Sequence, residues 1–373
     1  MRDEEKNIYF MNTALNLAKK GAGKTSPNPM VGAIVVKENT IIGYGWHMKA
    51  GGPHAEIFAL DQAKDNARGA TLYVTLEPCC HQGKTPPCTN AIIRAGIRKV
   101  VIAMVDPNPL ISGQGIKQLQ DAGIEVISGV MEKEACYLND IYIKNITARK
   151  TFCALKTAIT LDGKTATKSG SSRWVTNEKS REYVHILRSR HDAVLTGVGT
   201  VLADDCQLNV RLDDNLLAQP IRIVLDPELQ TPVDAKILDT TAAPTMIITK
   251  KESMDQSNNI ALTKKGAKIY ALPHQGNRIN LQELLDFLYR MGIMSIMVEA
   301  GSNLNASFLR AGLIDKYYVF VAPKFVGGND GMGIFAGSGV ANMANAMSLQ
   351  IIEREYFNED ILFAAYPVAA NKR

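Results

Sequence analysis

No stretch of the chain approaches the ~20 consecutive apolar residues that a membrane helix needs. The opening Met1-Arg2-Asp3-Glu4-Glu5-Lys6 is charged where a signal peptide would be apolar. Membrane insertion and secretion are therefore not expected, and a cytoplasmic protein is. Lys and Arg outnumber Asp and Glu only by 42 to 37, a net charge of +5 over 373 residues, with no basic block or aromatic-basic stripe. That is too thin an excess for a nucleic-acid partner, although it suits a phosphorylated small molecule. Cysteine is scarce, six in all, yet three fall between Cys79 and Cys88. Such clustering argues for metal chemistry in a reducing compartment and against a disulfide framework. Internal repeats and low-complexity segments are lacking. So is a G-x-G-x-x-G fingerprint, which leaves an ordinary Rossmann domain unsupported.

What is present is a globular composition, 46% hydrophobic and 21% charged, in a chain long enough for two cores. Its strongest signal is Pro53-His54-Ala55-Glu56 followed by Glu77-Pro78-Cys79-Cys80 and, later, Cys88. One imidazole and two thiolates (His54, Cys79, Cys88) are a common zinc set, and three protein ligands leave a position open for water, whose pKa zinc lowers to about 7. Glu56, two residues after His54, can shuttle protons without ligating. H-x-E with a later P-C and Cys is the pattern of zinc nucleobase deaminases, although most of these space the thiols C-x-x-C. Two other readings stay open at this point. Cys80 or His81 could complete a closed structural zinc site in a binding module, which leaves Glu56 without a role. A tRNA or nucleoside deaminase shares the motif, but it would give the second half of the chain no purpose.

Periodicity predicts an α-helix over residues 8–20, a hairpin over 31–36 and 40–44, a helix opening at Ala55, a strand over 71–76 and a short helix from Cys88. A strand over 99–105, another over 124–127 and one connecting helix over 131–146 follow. Strands and helices in alternation imply a layered α/β domain with its site outside the strand ends. A polar, basic stretch near Arg149 places a domain boundary there, giving domains 1–149 and 150–373. The second half alternates again, with strands near 152–158, 193–196, 221–225, 245–248, 268–272, 295–298, 317–321 and 361–365. Helices are expected over 177–190, 281–291 and 303–311. Gly197-Val198-Gly199-Thr200 and Glu299-Ala300-Gly301-Ser302-Asn303 each follow a strand; bare amides at a helix start can hold phosphates, though Gly after a strand is more often a turn.

The stretch Pro-Cys-Cys-His-Gln-Gly-Lys-Thr-Pro-Pro-Cys, with Pro27-Asn28-Pro29-Met30-Val31-Gly32 before it and Asp106-Pro107-Asn108-Pro109 after it, resembles one family closely. That family is the bifunctional riboflavin-biosynthesis enzymes, a pyrimidine deaminase fused to a reductase, and the likeness spans nearly the whole chain. It implies a cytidine-deaminase-like α/β/α domain followed by a dihydrofolate-reductase-like α/β domain, acting as hydrolase and oxidoreductase with Zn2+ and NADPH. By this resemblance Asn28, His47, Lys84, Asp106 and Asn108 contact the pyrimidine phosphate. Leu155 to Gly163, Ser172 to Thr176, Leu202 to Asp205 and Val298 to Gly301 look like the reductase half. There the resemblance turns Ala158, Trp174, Thr200, Asp204 and the loop Gly301, Ser302, Asn303, Leu304, Asn305, Ala306, Ser307 toward the cofactor. It turns Lys156, Ser172, Arg188, Leu208, Arg211 and Glu299 toward the sugar phosphate. Cys80 stands where the family usually has Ser, Cys206 where it has Pro and Asn209 where Thr is common. A homo-oligomer is the expected assembly.

Overall fold

A helix opens the chain: Asp3–Ala18 (α1) turns Phe10, Met11, Ala14 and Leu15 inward onto the first sheet. Strands β1 (Gly32–Lys37) and β2 (Thr40–Trp46) form an antiparallel hairpin, and helix α2 (Ala55–Ala63) packs closely on it. Glycine permits that closeness. A Cβ at Gly43 would lie 2.1 Å from the Ala59 carbonyl oxygen, and one at Gly45 2.7 Å from that of Ala55. Then β3 (Thr71–Leu76), α3 (Cys88–Arg94), β4 (Lys99–Met104), α4 (Gln114–Asp121) and β5 (Glu125–Ser128) alternate, the three strands running parallel. The sheet order is β2-β1-β3-β4-β5. Successive strand side chains point to opposite faces. Val35, Leu72, Val100 and Ile102 therefore meet α2, α3 and α4, while Ile34, Tyr73, Val101 and Ala103 meet α1 and α5 (Glu132–Leu138).

The expected single helix over 131–146 is instead two, α5 and α6 (Asp140–Ala148). Asn139 stands at the break, its backbone off the helix at φ −109° and ψ 24°, and its side chain reaches Met30: Oδ1 accepts the Met30 N–H at 2.8 Å and Nδ2 donates to the Met30 carbonyl at 3.0 Å. In this computed structural model, which describes residues 2–81, 86–109, 111–212 and 217–368, contacts divide the chain into two units, Met1–Arg149 and Lys150–Arg373.

The second unit runs β6 (Phe152–Thr160), β7 (Lys164–Ala166), α7 (Glu178–Ser189), β8 (Ala193–Gly197), α8 (Val198–Asp204), β9 (Ile221–Leu225), β10 (Thr245–Thr249), α9 (Ser257–Lys264) and β11 (Lys268–Ala271). It continues through β12 (His274–Gln275), β13 (Arg278–Ile279), α10 (Leu281–Arg290), β14 (Ser295–Val298), α11 (Ser302–Arg310), β15 (Lys316–Ala322), β16 (Met332–Gly333), β17 (Leu349–Phe357) and β18 (Asp360–Pro367). Nine of these strands form one sheet in the order β11-β10-β9-β8-β14-β6-β15-β18-β17. It is parallel from β11 to β15 and antiparallel through β18 and β17. Leu284, Leu285 and Leu288 of α10 and Phe308 of α11 pack on Leu155, Leu195, Ile223 and Val298 to make its core. Periodicity did not anticipate α8, which occupies the supposed Gly turn after β8, α9, the edge strand β17 or the short strands β7, β12, β13 and β16, nor α4 in the first unit.

Candidate functional site

In the first unit three element ends converge. His54 is the N-cap of α2, with extended backbone (φ −79°, ψ 162°) that turns its ring off the helix axis. Cys79 lies three residues beyond the end of β3, and Cys88 begins α3. His54 Nδ1 is 3.2 Å from Cys88 Sγ and 3.4 Å from Cys79 Sγ, and the Cys88 N–H donates to Cys79 Sγ at 3.4 Å. All three candidate ligand atoms lie within 4.8 Å of one another. Zn–S bonds of ~2.3 Å and Zn–N bonds of ~2.0 Å in a tetrahedron imply donor separations of about 3.5–3.8 Å, so the trio fits zinc with little movement.

The charges agree. The Cys88 thiol donating to Cys79, helped by His54 and outweighing burial, lowers the Cys79 pKa to about 4, a thiolate at neutral pH. Cys88 is pushed up by giving that hydrogen bond and by burial, and the bond with Cys79 raises His54. A dication between them would supply the positive charge that both thiolates need. Cys80 does not belong to the trio, and burial pushes its thiol up.

Glu56, in the first turn of α2, is only 3% exposed, and burial raises its pKa. Its Oε2 has no hydrogen-bond partner among the described residues. A buried carboxylate oxygen without a partner is unfavourable unless something else meets it. Glu56 lines a cavity of about 480 Å³ together with His54 and Cys79, walled by Asn28, His47, Asp106 and Asn108. His47 Nδ1 is 3.1 Å from the Pro53 carbonyl, which can only accept. Nε2 of the neutral ring then accepts from Asn28 Nδ2 at 3.1 Å, and burial, lowering the His47 pKa, favours that neutral form. Asp106, raised by burial, accepts the Asn108 N–H at 2.9 Å and the Tyr142 hydroxyl at 3.1 Å. Tyr142 also lines the cavity, and sequence reasoning missed it because a single Tyr within a helix carries no motif. Lys84 lies outside the described residues.

In the second unit β6 and β14 are parallel neighbours with Leu155 opposite Val298, so the next residues, Lys156 and Glu299, come together. Lys156 Nζ is 3.6 Å from Glu299 Oε2, and Arg188 grips Glu299 with Nε at 2.6 Å and Nη2 at 3.0 Å. Burial pushes Glu299 up, but the Arg188 and Lys156 charges more than offset it and hold the carboxyl at about 2; burial lowers Lys156. Arg188 Nη1 is committed to the Asn209 carbonyl at 3.0 Å, so this Arg braces Glu299 more than it offers a free phosphate clamp. Arg211 is exposed and bonds Asn209 Oδ1 at 2.8 Å. Leu208, expected to face the sugar phosphate, has its side chain buried at 5% exposure, with φ of 53°.

Thr200 and Gly301 are adjacent, since a Cβ on Gly301 would lie 3.9 Å from Thr200 Oγ1. Gly301 caps α11, so Ser302, Asn303 and Leu304 form its first turn, with N–H groups suited to phosphate. The helix expected over 303–311 thus begins at Ser302 and takes in all of the cofactor segment except Gly301; Asn305 and Ala306 are buried in it, which turns their side chains from solvent, and Ser307 bonds the Asn303 carbonyl. Trp174 is 61% exposed with Arg181 4.4 Å over its ring. Arg173 donates to the Asp204 carbonyl at 3.0 Å, tying the segment of Ser172 and Trp174 to α8. Ala158, further along β6, is half-buried.

Residues 4–104 match the cytidine and deoxycytidylate deaminase zinc-binding region, and residues 151–363 match the RibD C-terminal domain. The riboflavin biosynthesis protein RibD of Aquifex aeolicus is 48% identical over 97% of this chain and 98% of its own. That of Escherichia coli is 39% identical over 97% and 98%. Among solved structures, Acinetobacter baumannii RibD superposes with a TM-score of 0.85 at 39% identity, covering 98% of this chain and 100% of its own. A Thermotoga maritima diaminohydroxyphosphoribosylaminopyrimidine deaminase/5-amino-6-(5-phosphoribosylamino)uracil reductase does so with 0.85 at 37%, covering 98% and 99%. With a deaminase region and a reductase domain in one polypeptide, and relatives this close over nearly its full length, the chain belongs to the RibD family of bifunctional riboflavin-biosynthesis enzymes.

Proposed function

We propose that the first unit hydrolytically deaminates 2,5-diamino-6-(ribosylamino)pyrimidin-4-one 5′-phosphate and that the second reduces the product's ribosyl group to a ribityl chain. The observation that carries the first half is the His54, Cys79 and Cys88 trio beside a buried, unpartnered Glu56 oxygen in one cavity. Zinc, when bound by the trio, supplies a Lewis acid that makes water nucleophilic near neutral pH. Glu56, with its raised pKa, takes one proton from the attacking water and gives it to the ring nitrogen, then takes the remaining proton from the new hydroxyl and gives it to the departing amine. Ammonia leaves and a carbonyl replaces the amino group. Asn28 and Asp106, each held by a neighbouring side chain, hydrogen-bond the pyrimidine edge. Lys84, for its part, meets the ribose phosphate.

NADPH, when bound to the second unit, supplies the hydride. Thr200 and the first turn of α11 hold its phosphates. Lys156 and Glu299 hydrogen-bond the ribose hydroxyls, Arg188 keeps Glu299 in place, and exposed Arg211 meets the sugar phosphate. Orientation is the main service these residues render. Among the described residues no helix is long and apolar enough to cross a membrane. On this reading the protein works in the cytoplasm on a small molecule and not on nucleic acid. Exposed Leu349, Ile351 and Tyr356 on edge strand β17 support a homo-oligomer.

The test is a two-stage assay on the pyrimidine phosphate with NADPH added last. Ammonia should appear first, and NADPH oxidation should begin only on its addition. No ammonia release from the zinc-loaded chain sinks the reading.

A further inference from the structure

Glu77 is a buried carboxylate that the mechanism above does not use. It follows β3 directly, continues the ladder by donating its N–H to the Met104 carbonyl at 3.0 Å, and is 3% exposed. Its partners are four main-chain N–H groups: Oε2 accepts from Asp106 at 3.1 Å and Gly113 at 3.0 Å, and Oε1 from Gly115 at 2.8 Å and Ile116 at 3.2 Å. Both oxygens are thus committed within the protein, which leaves little for a ligand to contact. The donors come from two places, the exit of β4 and the start of α4. That start lies tight against the Pro78–Cys79 peptide, since a Cβ on Gly115 would be 2.2 Å from the Pro78 carbonyl oxygen.

We propose that Glu77 is a positioning residue of the deaminase: its carboxylate sets the backbone of the cavity wall that carries Asp106 and Asn108, and thereby the fit of the pyrimidine. The line of contacts is continuous. Glu77 holds the Asp106 N–H, the Asp106 carboxylate holds the Asn108 N–H at 2.9 Å, and Asp106 and Asn108 line the cavity. Tyr142 reaches the same Asp106 carboxylate from α6, at 3.1 Å. Few groups could replace Glu77. Only a carboxylate offers two acceptor oxygens and no donor to clash with four converging N–H groups. An amide of the same shape turns one acceptor into a donor facing two donors, which frees one side of the wall while leaving the other tied.

This inference rests on the deaminase reading of the first unit, so the test begins with the wild-type chain releasing ammonia from the pyrimidine phosphate. If it does not, that reading has failed, and Glu77 is not at issue. Glu77→Gln should then raise the KM for deamination roughly tenfold, the effect of about one good hydrogen bond's worth of misfit, with a smaller fall in kcat. Zinc content and NADPH oxidation on the deaminated product should stay at wild-type levels. Because Tyr142 acts on the same Asp106, Tyr142→Phe should raise KM as well, and the double variant should be worse than either by less than the product of the two effects. An unchanged KM in a less stable Glu77→Gln chain would reduce Glu77 to a structural role and overturn the proposal. Zinc loss with normal KM in the metal-bound fraction would assign it to Cys79 instead, and full independence from Tyr142→Phe would remove Asp106 from the route. If the amide does not accumulate folded, Glu77→Asp keeps both acceptors one methylene short, and a wild-type KM from it would overturn the proposal equally.

Discussion

Cys79 and Cys80 are neighbours in sequence, yet one carries a thiol lowered to about 4 by its partners and the other a thiol raised by burial. The difference is direction: Cys79 turns toward His54 and Cys88, and Cys80 lies outside their cluster. Cys80→Ser should therefore keep about one zinc per chain and deaminate normally, while Cys79→Ser should lose the metal, because an open site has no ligand to spare. Metal analysis of both purified variants decides it. Zinc loss from both would revive the closed site with a fourth ligand. Glu56→Gln tests the proton carrier in the same way. The amide preserves shape in a buried site but cannot take a proton, so zinc should remain and deamination should fall by ~10² to 10⁴-fold. A variant that holds its zinc and keeps the parent rate would remove Glu56 from the reaction.

Each candidate ligand or carrier of the first unit sits at or near an element end: the N-cap and first turn of α2, the segment after β3, the start of α3 and the exit of β4. The loop 27–30, another wall of the cavity, is fixed from a distance by Asn139 at the break between α5 and α6. Asn139→Ala removes both hydrogen bonds to Met30 and should cost about 1–3 kcal/mol of stability. It should also raise the deaminase KM with zinc retained; unchanged thermal unfolding and KM together would show that the loop holds itself. The break was hidden in the sequence because a lone Asn in a helical pattern reads as an exposed helix residue until its partner, more than a hundred positions away, is known. Strands 71–76, 221–225 and 295–298 were legible to the residue, as apolar runs buried on both faces. Edge strand β17 was not, since both its faces are largely exposed and no alternation marks it. In α9 only Leu262 is buried, and α4 begins with Gln-Gly, the Gly being required by contact with Pro78 and not by the helix. That His54, Cys79 and Cys88 come together was legible from their motif and spacing. Glu77 and Tyr142 were not, because what they touch is main chain or a side chain brought near only by folding.

Over the whole molecule, two sets of chemical groups stand in two units. Among the described residues, those lining the cavity with His54, Glu56 and Cys79 belong to the first, and Lys156, Arg188 and Glu299 belong to the second. If each unit carries one reaction, damage to either should leave the other intact. Lys156→Ala takes one of two cations from Glu299, yet the bidentate Arg188 contact remains to keep the buried carboxylate paired, so the unit should still fold. NADPH oxidation should stop while ammonia release continues at the parent rate, and Asp204→Ala, at the exposed end of α8, should behave likewise. Stripping zinc with a chelator should do the reverse, ending ammonia release but sparing NADPH oxidation on substrate deaminated beforehand. Ammonia assays and absorbance of NADPH on the same preparations read both halves of this cross. Loss of both activities from Lys156→Ala in a chain that keeps its zinc would mean that the two reactions share a site, and the assignment of one chemistry to each unit would have to be abandoned.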